Sequence, residues 1–431
     1  MKKTKKTAND KAWEKLFETH KILEEVEKNG FVEIESAQIN KQRQSRLMAK
    51  FDHSVNLPAI FWDNHLSILP ISRSKYVIGK FATHLKVEYD NETELTPFEF
   101  PAEIESIDYT NLYSESSALH CAFNIGIIDD LVGEKTAYTV SGRMSTESLD
   151  FNIINSTMAN KPYSIKVENS QCEIDAGFES DNYFVLIEAK KYIIKDFLIR
   201  QLYYPYRLWS KKITKKVIPV LMTYSNDIFS FFIYEFSNDK DYNSLQLITQ
   251  KNYTIAPEEI QRSDVDRVFN NIKVIAEPDV PLPQADKFER VVDLLSLLLE
   301  RDLTKDDITE NYEFDRRQTE YYTNAGLYIG LIEKDKKLLR KKPIFRLTNE
   351  GRSILHKRAK LKYLDLINKI LERQVFYLVF ELTLKQGGIP PEDAICKIIS
   401  ENRPDINDTT IKRRYSTVRG WISWIWNQIP D

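Results

Sequence analysis

The run YFVLIEAK ends in Glu188, Ala189 and Lys190, and Asp175 closes the earlier run QCEIDAGF. In a strand, residues two apart share a face, so Glu188 and Lys190 point the same way while Ala189 faces the packing side. The interval 188 − 175 = 13 leaves room for a hairpin that folds Asp175 beside Glu188. Two carboxylates and an ammonium then meet beside Phe184, Leu186 and Ile187, where a strand would ordinarily be apolar. A divalent metal gives those charges a purpose. Mg²⁺ takes hard oxygen ligands and suits two carboxylates plus a backbone carbonyl. Such an ion polarises a phosphoryl oxygen and lowers the pKa of a bound water, while Lys190 would orient that water and offset negative charge.

These residues need a sheet and a helix to hold them. A helix is expected over about Ser114 to Asp129, followed by the strand texts YTVSGRM, LDFNII, YSIKV and QCEIDAGF. YFVLIEAK, a helix over about Lys195 to Trp209, and the strands KKVIPVLMTY and IFSFFIYEF complete a mixed α/β unit. Arg143 (in SGRM) and Asp150 fall on strands expected to border the cleft; Arg143 would contact a phosphate, pair with an acid, or simply serve a hairpin turn. Glu173 is read as facing solvent or a neighbouring strand.

In motif and element order, Tyr113 to Tyr224 resembles the core of the PD-(D/E)XK nuclease superfamily: an acid, a short hairpin, then (D/E)-x-K, here Asp175, Glu188, Ala189 and Lys190. No proline precedes Asp175, a position that varies in that superfamily. The resemblance implies that Asp175 and Glu188 bind Mg²⁺ and that Lys190 assists the water. Glu115, in YSESSALH, would be the further acid that many members take from the first helix; a glutamate there is also favoured by the helix dipole alone. Gln201, in DFLIRQLYYPYR, resembles the Q-x-x-x-Y element of some branches, with Tyr204 or Tyr206 nearby.

Farther along, Pro278, Pro281 and Pro283 mark a linker. After it, helices are expected at 286–300, 304–311, 315–329, 349–372, 374–386 and 391–401. The segment 304–348 looks like a winged helix, with Arg316, Arg317 and Gln318 opening the recognition helix and Lys336, Lys337, Arg340 and Lys341 on a basic wing. Arg413 and Arg414 are further phosphate candidates, and Trp421 and Trp424 read as core or dimer contacts. Lys41 to Lys50 reads either as a DNA-contacting stretch or as a platform for the core.

Composition narrows the classes. The chain has 431 residues with 42% hydrophobic, 29% charged and only 12 glycines, which excludes collagen-like and wholly disordered chains. The balance 61 − 64 = −3 divides into 27 − 22 = +5 from Lys287 onward and 34 − 42 = −8 before it, a split that fits a basic polyanion-binding part beside an acidic catalytic part and equally fits ordinary scatter. No apolar run is long enough to span a membrane, and no apolar stretch follows the basic start as in a secretory signal. Three scattered cysteines argue against a disulfide framework or a cysteine zinc cluster and for a cytoplasmic protein. The six histidines show no ligand spacing, and no phosphate-binding G-x-x-x-x-G-K-[ST] loop occurs.

The fold class expected is therefore α/β. A mixed-sheet, restriction-endonuclease-like core (106–256) would follow an N-terminal α+β region (1–105). A connecting helix and linker (257–285) would lead to a helical winged-helix region (286–431). The resemblance implies a type II restriction enzyme: a Mg²⁺-dependent, sequence-specific endodeoxyribonuclease acting as a homodimer on double-stranded DNA, with a cognate methyltransferase as functional partner. A structure-specific repair nuclease and a DNA-binding regulator with an inert nuclease fold are the alternatives.

Overall fold

The structure is a computed structural model that describes residues 6–90, 92–255, 259–335 and 343–429. Seven strands form one mixed sheet, in the order Leu95–Phe98, Leu245–Ile255, Ile228–Phe236, Lys216–Ser225, Tyr183–Lys190, Gln171–Glu179 and Ala137–Ser145. Neighbours are antiparallel except at two places: Tyr183–Lys190 runs parallel to Lys216–Ser225, and Leu245–Ile255 parallel to Leu95–Phe98. A parallel pair needs a crossover, and the helix Arg200–Lys212 supplies the first one.

The central strands are apolar on both faces because both faces are covered. Val185, Ile187 and Ala189 pack with Leu119 and Ala122 of the helix Glu115–Asn124. Phe184 and Leu186 pack instead with Tyr206 and Trp209 of the helix Arg200–Lys212. Each such side chain contributes roughly 1.5–3 kcal/mol when fully buried, so the strand ending in Lys190 is held firmly. The expected Ser114–Asp129 helix stops at Asn124, because Gly126 adopts φ +89° and starts a second helix, Ile127–Val132. The texts LDFNII and YSIKV lie outside the large sheet, in their own hairpin of Ser148–Asn155 and Met158–Glu168.

Two helical stretches are interrupted for one physical reason. The Trp13, Leu16 and Phe17 stripe, continued straight, would run through His20, Glu24 and Glu27. A break at Lys21 (φ +50°) re-phases the chain between Ala8–Thr19 and Ile22–Asn29, turning Ile22 and Val26 into the core. The expected helix 349–372 likewise divides into Asn349–Leu355 and Ala359–Leu371. A straight continuation from Ile354 would present Arg358, Leu361 and Asp365, whereas the break buries Tyr363, Ile367 and Ile370.

The proline-bearing segment carries no helix or strand, and beyond it lie eight helices among the described residues, with a small sheet of Leu303–Thr304, Ile344–Leu347 and Ile332–Asp335. Trp421 is fully buried and donates its indole N–H to the Ala285 carbonyl at 2.6 Å; Trp424 packs on Phe288 and Tyr363, so both tryptophans are core. No helix among the described residues is long and apolar enough to cross a membrane.

The last helix, Asp408–Trp426, approaches the linker backbone closely. A Cβ at Gly420 would sit 2.0 Å from the Asp286 carbonyl oxygen, with no flexible side chain to give way. Gly420→Ala should therefore destabilise by about 1–3 kcal/mol in urea unfolding. Gly388→Ala, with open space around it and no left-handed φ, should instead stabilise by about 0.4–1 kcal/mol.

Candidate functional site

A bulge aims Asp175. Val140 pairs with Gly177 and Gly142 with Ile174, so the single residue Ser141 faces both Asp175 and Ala176. The extra residue reverses the alternation of the strand: Ile174 packs with Phe184, while Ala176 and Phe178 pack on the opposite face. Pairing with the next strand ends at Ala176 and Ile187. Just past that point, Asp175 Oδ2 accepts the Ala189 backbone N–H at 2.8 Å.

The three residues of the expected triad meet. Glu188 and Lys190 are buried side by side, with Lys190 Nζ donating to Glu188 Oε1 at 2.5 Å. Gln201 Nε2 donates to the same oxygen, from the second residue of the helix Arg200–Lys212. Gln201 thus joins the site, while Tyr204 and Tyr206 are bonded elsewhere, to the Pro70 carbonyl and Asp239. Glu115, first residue of its helix behind the N-cap Ser114, lies in the same cleft.

The electrostatics follow from burial of several acids around Lys190. Burial pushes the Asp175 carboxyl up to about 6; Glu115 adds to the rise, while Lys190 and the Ala189 N–H oppose it. Burial and then Asp175 push Glu188 up to about 7. Glu115 is raised as well, by burial first, with Glu188 and Asp52 repelling it. Burial disfavours the Lys190 charge, yet Glu188, Glu115, Asp52 and Asp175 outweigh it and hold the ammonium well above its usual value. Asp175 uses one oxygen and Glu188 one oxygen for these bonds; among the described residues neither second oxygen takes a hydrogen bond. Two free carboxylate oxygens in a charged, buried site match a hard divalent cation.

Three family models match the chain, and each is described as a domain of unknown function: DUF6996 over residues 10–78, DUF6997 over 79–254 and DUF7226 over 290–430. No curated protein and no solved structure matches it. Asp175, Glu188, Lys190 and Glu115 all fall in the middle match.

The acids lie in a cleft of about 930 Å³ whose walls come from all three matched stretches: Arg46 to Asp52 on one side, Leu297 to Arg301 on another. Arg143 is at its rim, paired across strands with Glu173 at 3.3 Å rather than with a triad acid. Asp150 is on the separate hairpin and does not line the cleft.

The nominated DNA contacts of the C-terminal part lie elsewhere. Arg316, Arg317 and Gln318 open the helix Arg316–Tyr328, where Gln318 Oε1 accepts the Asp315 N–H in a capping box. Arg317 lies over Tyr321 at 5.4 Å, and Arg414 is close enough to Tyr321 to interact electrostatically. Arg414 is bonded to Gln284, and Arg413 is exposed. Lys336, Lys337, Arg340 and Lys341 lie outside the described residues.

Sequence reasoning missed Asp52 and Arg200. Burial would push Asp52 up, but Lys50, Lys190, His53 and Arg200 together hold it below its usual range. It stands 188 − 52 = 136 positions before Glu188, a separation that no motif spans. Arg200 lines the cleft and has a buried Nε without a hydrogen-bond partner. Its position beside Gln201 was the available signal.

A carboxyl raised in the folded state binds protons more tightly there than when unfolded, so stability falls as pH rises from about 4 through the folded value. In metal-free buffer, Asp175→Asn should therefore raise stability at pH 8 by on the order of 2 kcal/mol and leave it nearly unchanged at pH 4, by chemical unfolding at both pH values.

Proposed function

We propose that the protein is a Mg²⁺-dependent endodeoxyribonuclease of PD-(D/E)XK type, similar to type II restriction enzymes. The observation that carries this reading is the meeting of Asp175, Glu188 and Lys190 at adjacent strand ends, with Glu115 and Gln201 beside them. The element order supports it: helix Glu115–Asn124, strands Ala137–Ser145, Gln171–Glu179 and Tyr183–Lys190, helix Arg200–Lys212, strand Lys216–Ser225. With the intervening helix Ile127–Val132, the hairpin Ser148–Asn155/Met158–Glu168 and the short strand Asp196–Leu198 set aside as insertions, this is similar to the α-β-β-β-α-β order of a restriction-endonuclease-like core.

Asp175 and Glu188 would hold the ion, with Glu115 as a third acid. Bound there, Mg²⁺ supplies polarisation of a phosphoryl oxygen and a water of lowered pKa. Lys190 places positive charge beside the attacked phosphate. Gln201 and Lys190 fix the Glu188 carboxylate in one orientation, and Arg200, which lines the cleft, offers guanidinium donors to a non-bridging phosphate oxygen.

In the C-terminal part we read Lys305–Asn311, Arg316–Tyr328 and the following strands as a winged helix. Exposed Arg317 and Arg413, near Tyr321 and Arg414, would contact phosphates, with Arg316 and Gln318 facing bases. A homodimer would suit two-strand cutting, a cognate methyltransferase would protect the host, and the cytoplasm would be the compartment.

One observation favours a second reading. The Glu188 and Lys190 side chains are 10% and 7% exposed, on the floor of a walled cleft. A single extruded strand reaches such a floor more readily than an undistorted duplex, as a structure-specific nuclease requires.

With Mg²⁺, the protein should convert supercoiled plasmid to linear fragments, and EDTA should stop it. Asp175→Ala, Glu188→Ala and Lys190→Ala should each lower the rate by about a hundredfold or more. Discrete fragments indicate restriction, and cutting confined to flaps or junctions indicates the second reading. Undiminished cutting by the three variants contradicts both.

A further inference from the structure

A second group of ligand-type side chains lies beneath the cleft. His53, Asp196 and Glu313 each offer a ligand atom, and these atoms all lie within 4.8 Å of one another. They are far apart in the chain, one in each of the three matched stretches. His53 is 1% exposed and Glu313 3%.

Each is already oriented by hydrogen bonds. His53 Nδ1 is 2.7 Å from the Asp196 backbone carbonyl and Nε2 is 3.1 Å from the Tyr192 hydroxyl, so an ion at either nitrogen replaces one of these bonds while the other holds the ring. The Asp196 carboxylate accepts the Ser54 N–H at 3.0 Å and the Ser54 hydroxyl. Glu313 Oε1 accepts the Lys195 N–H at 2.8 Å. Bonds of this kind, behind the ligands, are what fixes metal-binding side chains in proteins.

The independent observation is Glu313 Oε2, a buried carboxylate oxygen with no hydrogen-bond partner. Among the described residues no lysine or arginine forms an ion pair with Asp196 or Glu313. The nearest candidate, Arg290, gives its guanidinium to the Glu313 backbone carbonyl and lies over Phe314 at 4.3 Å. A buried oxygen left open in this way calls for an ion or a water.

We propose that His53, Asp196 and Glu313 form a second metal site, separate from the acids around Glu188, that takes one Zn²⁺-like divalent ion and joins the three stretches. An imidazole with two carboxylates favours a borderline first-row ion over Mg²⁺, and three protein ligands leave a fourth position for water.

Zn²⁺ uptake by the metal-stripped full chain, read by competition with a chromophoric chelator, tests this. About one equivalent should bind and raise the unfolding temperature. The Asp175→Ala/Glu188→Ala double variant should keep that equivalent. Glu313→Gln, which retains the Lys195 acceptor, and His53→Ala should lose it, with far-UV circular dichroism reporting their folding. Absence of uptake by the wild type overturns the proposal. So does an equivalent that disappears in the double variant, or one that persists when Glu313→Gln is added to the double variant.

Discussion

Like charges buried together set the terms for this molecule. Removing one ion from water carries an effective penalty of several kcal/mol, and here Asp175, Glu188, Glu115 and Asp52 crowd around the Lys190 ammonium. Part of the penalty is offset locally, by the Lys190–Glu188 pair, the Gln201 amide and the Ala189 N–H. The remainder shows in the raised carboxyls of Asp175 and Glu188. A fold keeps such an arrangement where the unmet charge has a use, and stability is commonly sacrificed at sites of that kind.

Rigid surroundings make the arrangement tolerable. Helices cover both faces of the strand Tyr183–Lys190, and the residues leaving it are fastened to the C-terminal helices. Lys191 donates to the Ser296 carbonyl at 3.1 Å, the Ile193 N–H to Asp293 at 3.2 Å, and Tyr192 meets Tyr312 edge-on at 5.7 Å. The helix Phe288–Glu300 is therefore tied to the neighbour of Lys190, and the helix Arg316–Tyr328 packs against that same helix.

Much of this was legible from local pattern. Alternation along YFVLIEAK put Glu188 and Lys190 on one face because a strand has period two, and the proline cluster interrupted regular structure where expected. What escaped notice depended on long-range packing. The bulge at Asp175 arises from pairing with a strand some thirty residues away, so its effect on side-chain direction has no local signature. The breaks at Lys21 and after Leu355 need neither glycine nor proline; they come from where the core lies. The convergence of His53 with Asp196 and Glu313 joins residues whose spacing matches no ligand motif.

The most direct test is anomalous diffraction at the manganese edge from crystals grown with Mn²⁺, standing in for Mg²⁺, and a non-cleavable DNA. A peak bonded to carboxylate oxygens of both Asp175 and Glu188 is expected, with a phosphate beside Lys190. DNA bound with no ion between those two acids, or an ion held without either of them, would contradict this reading.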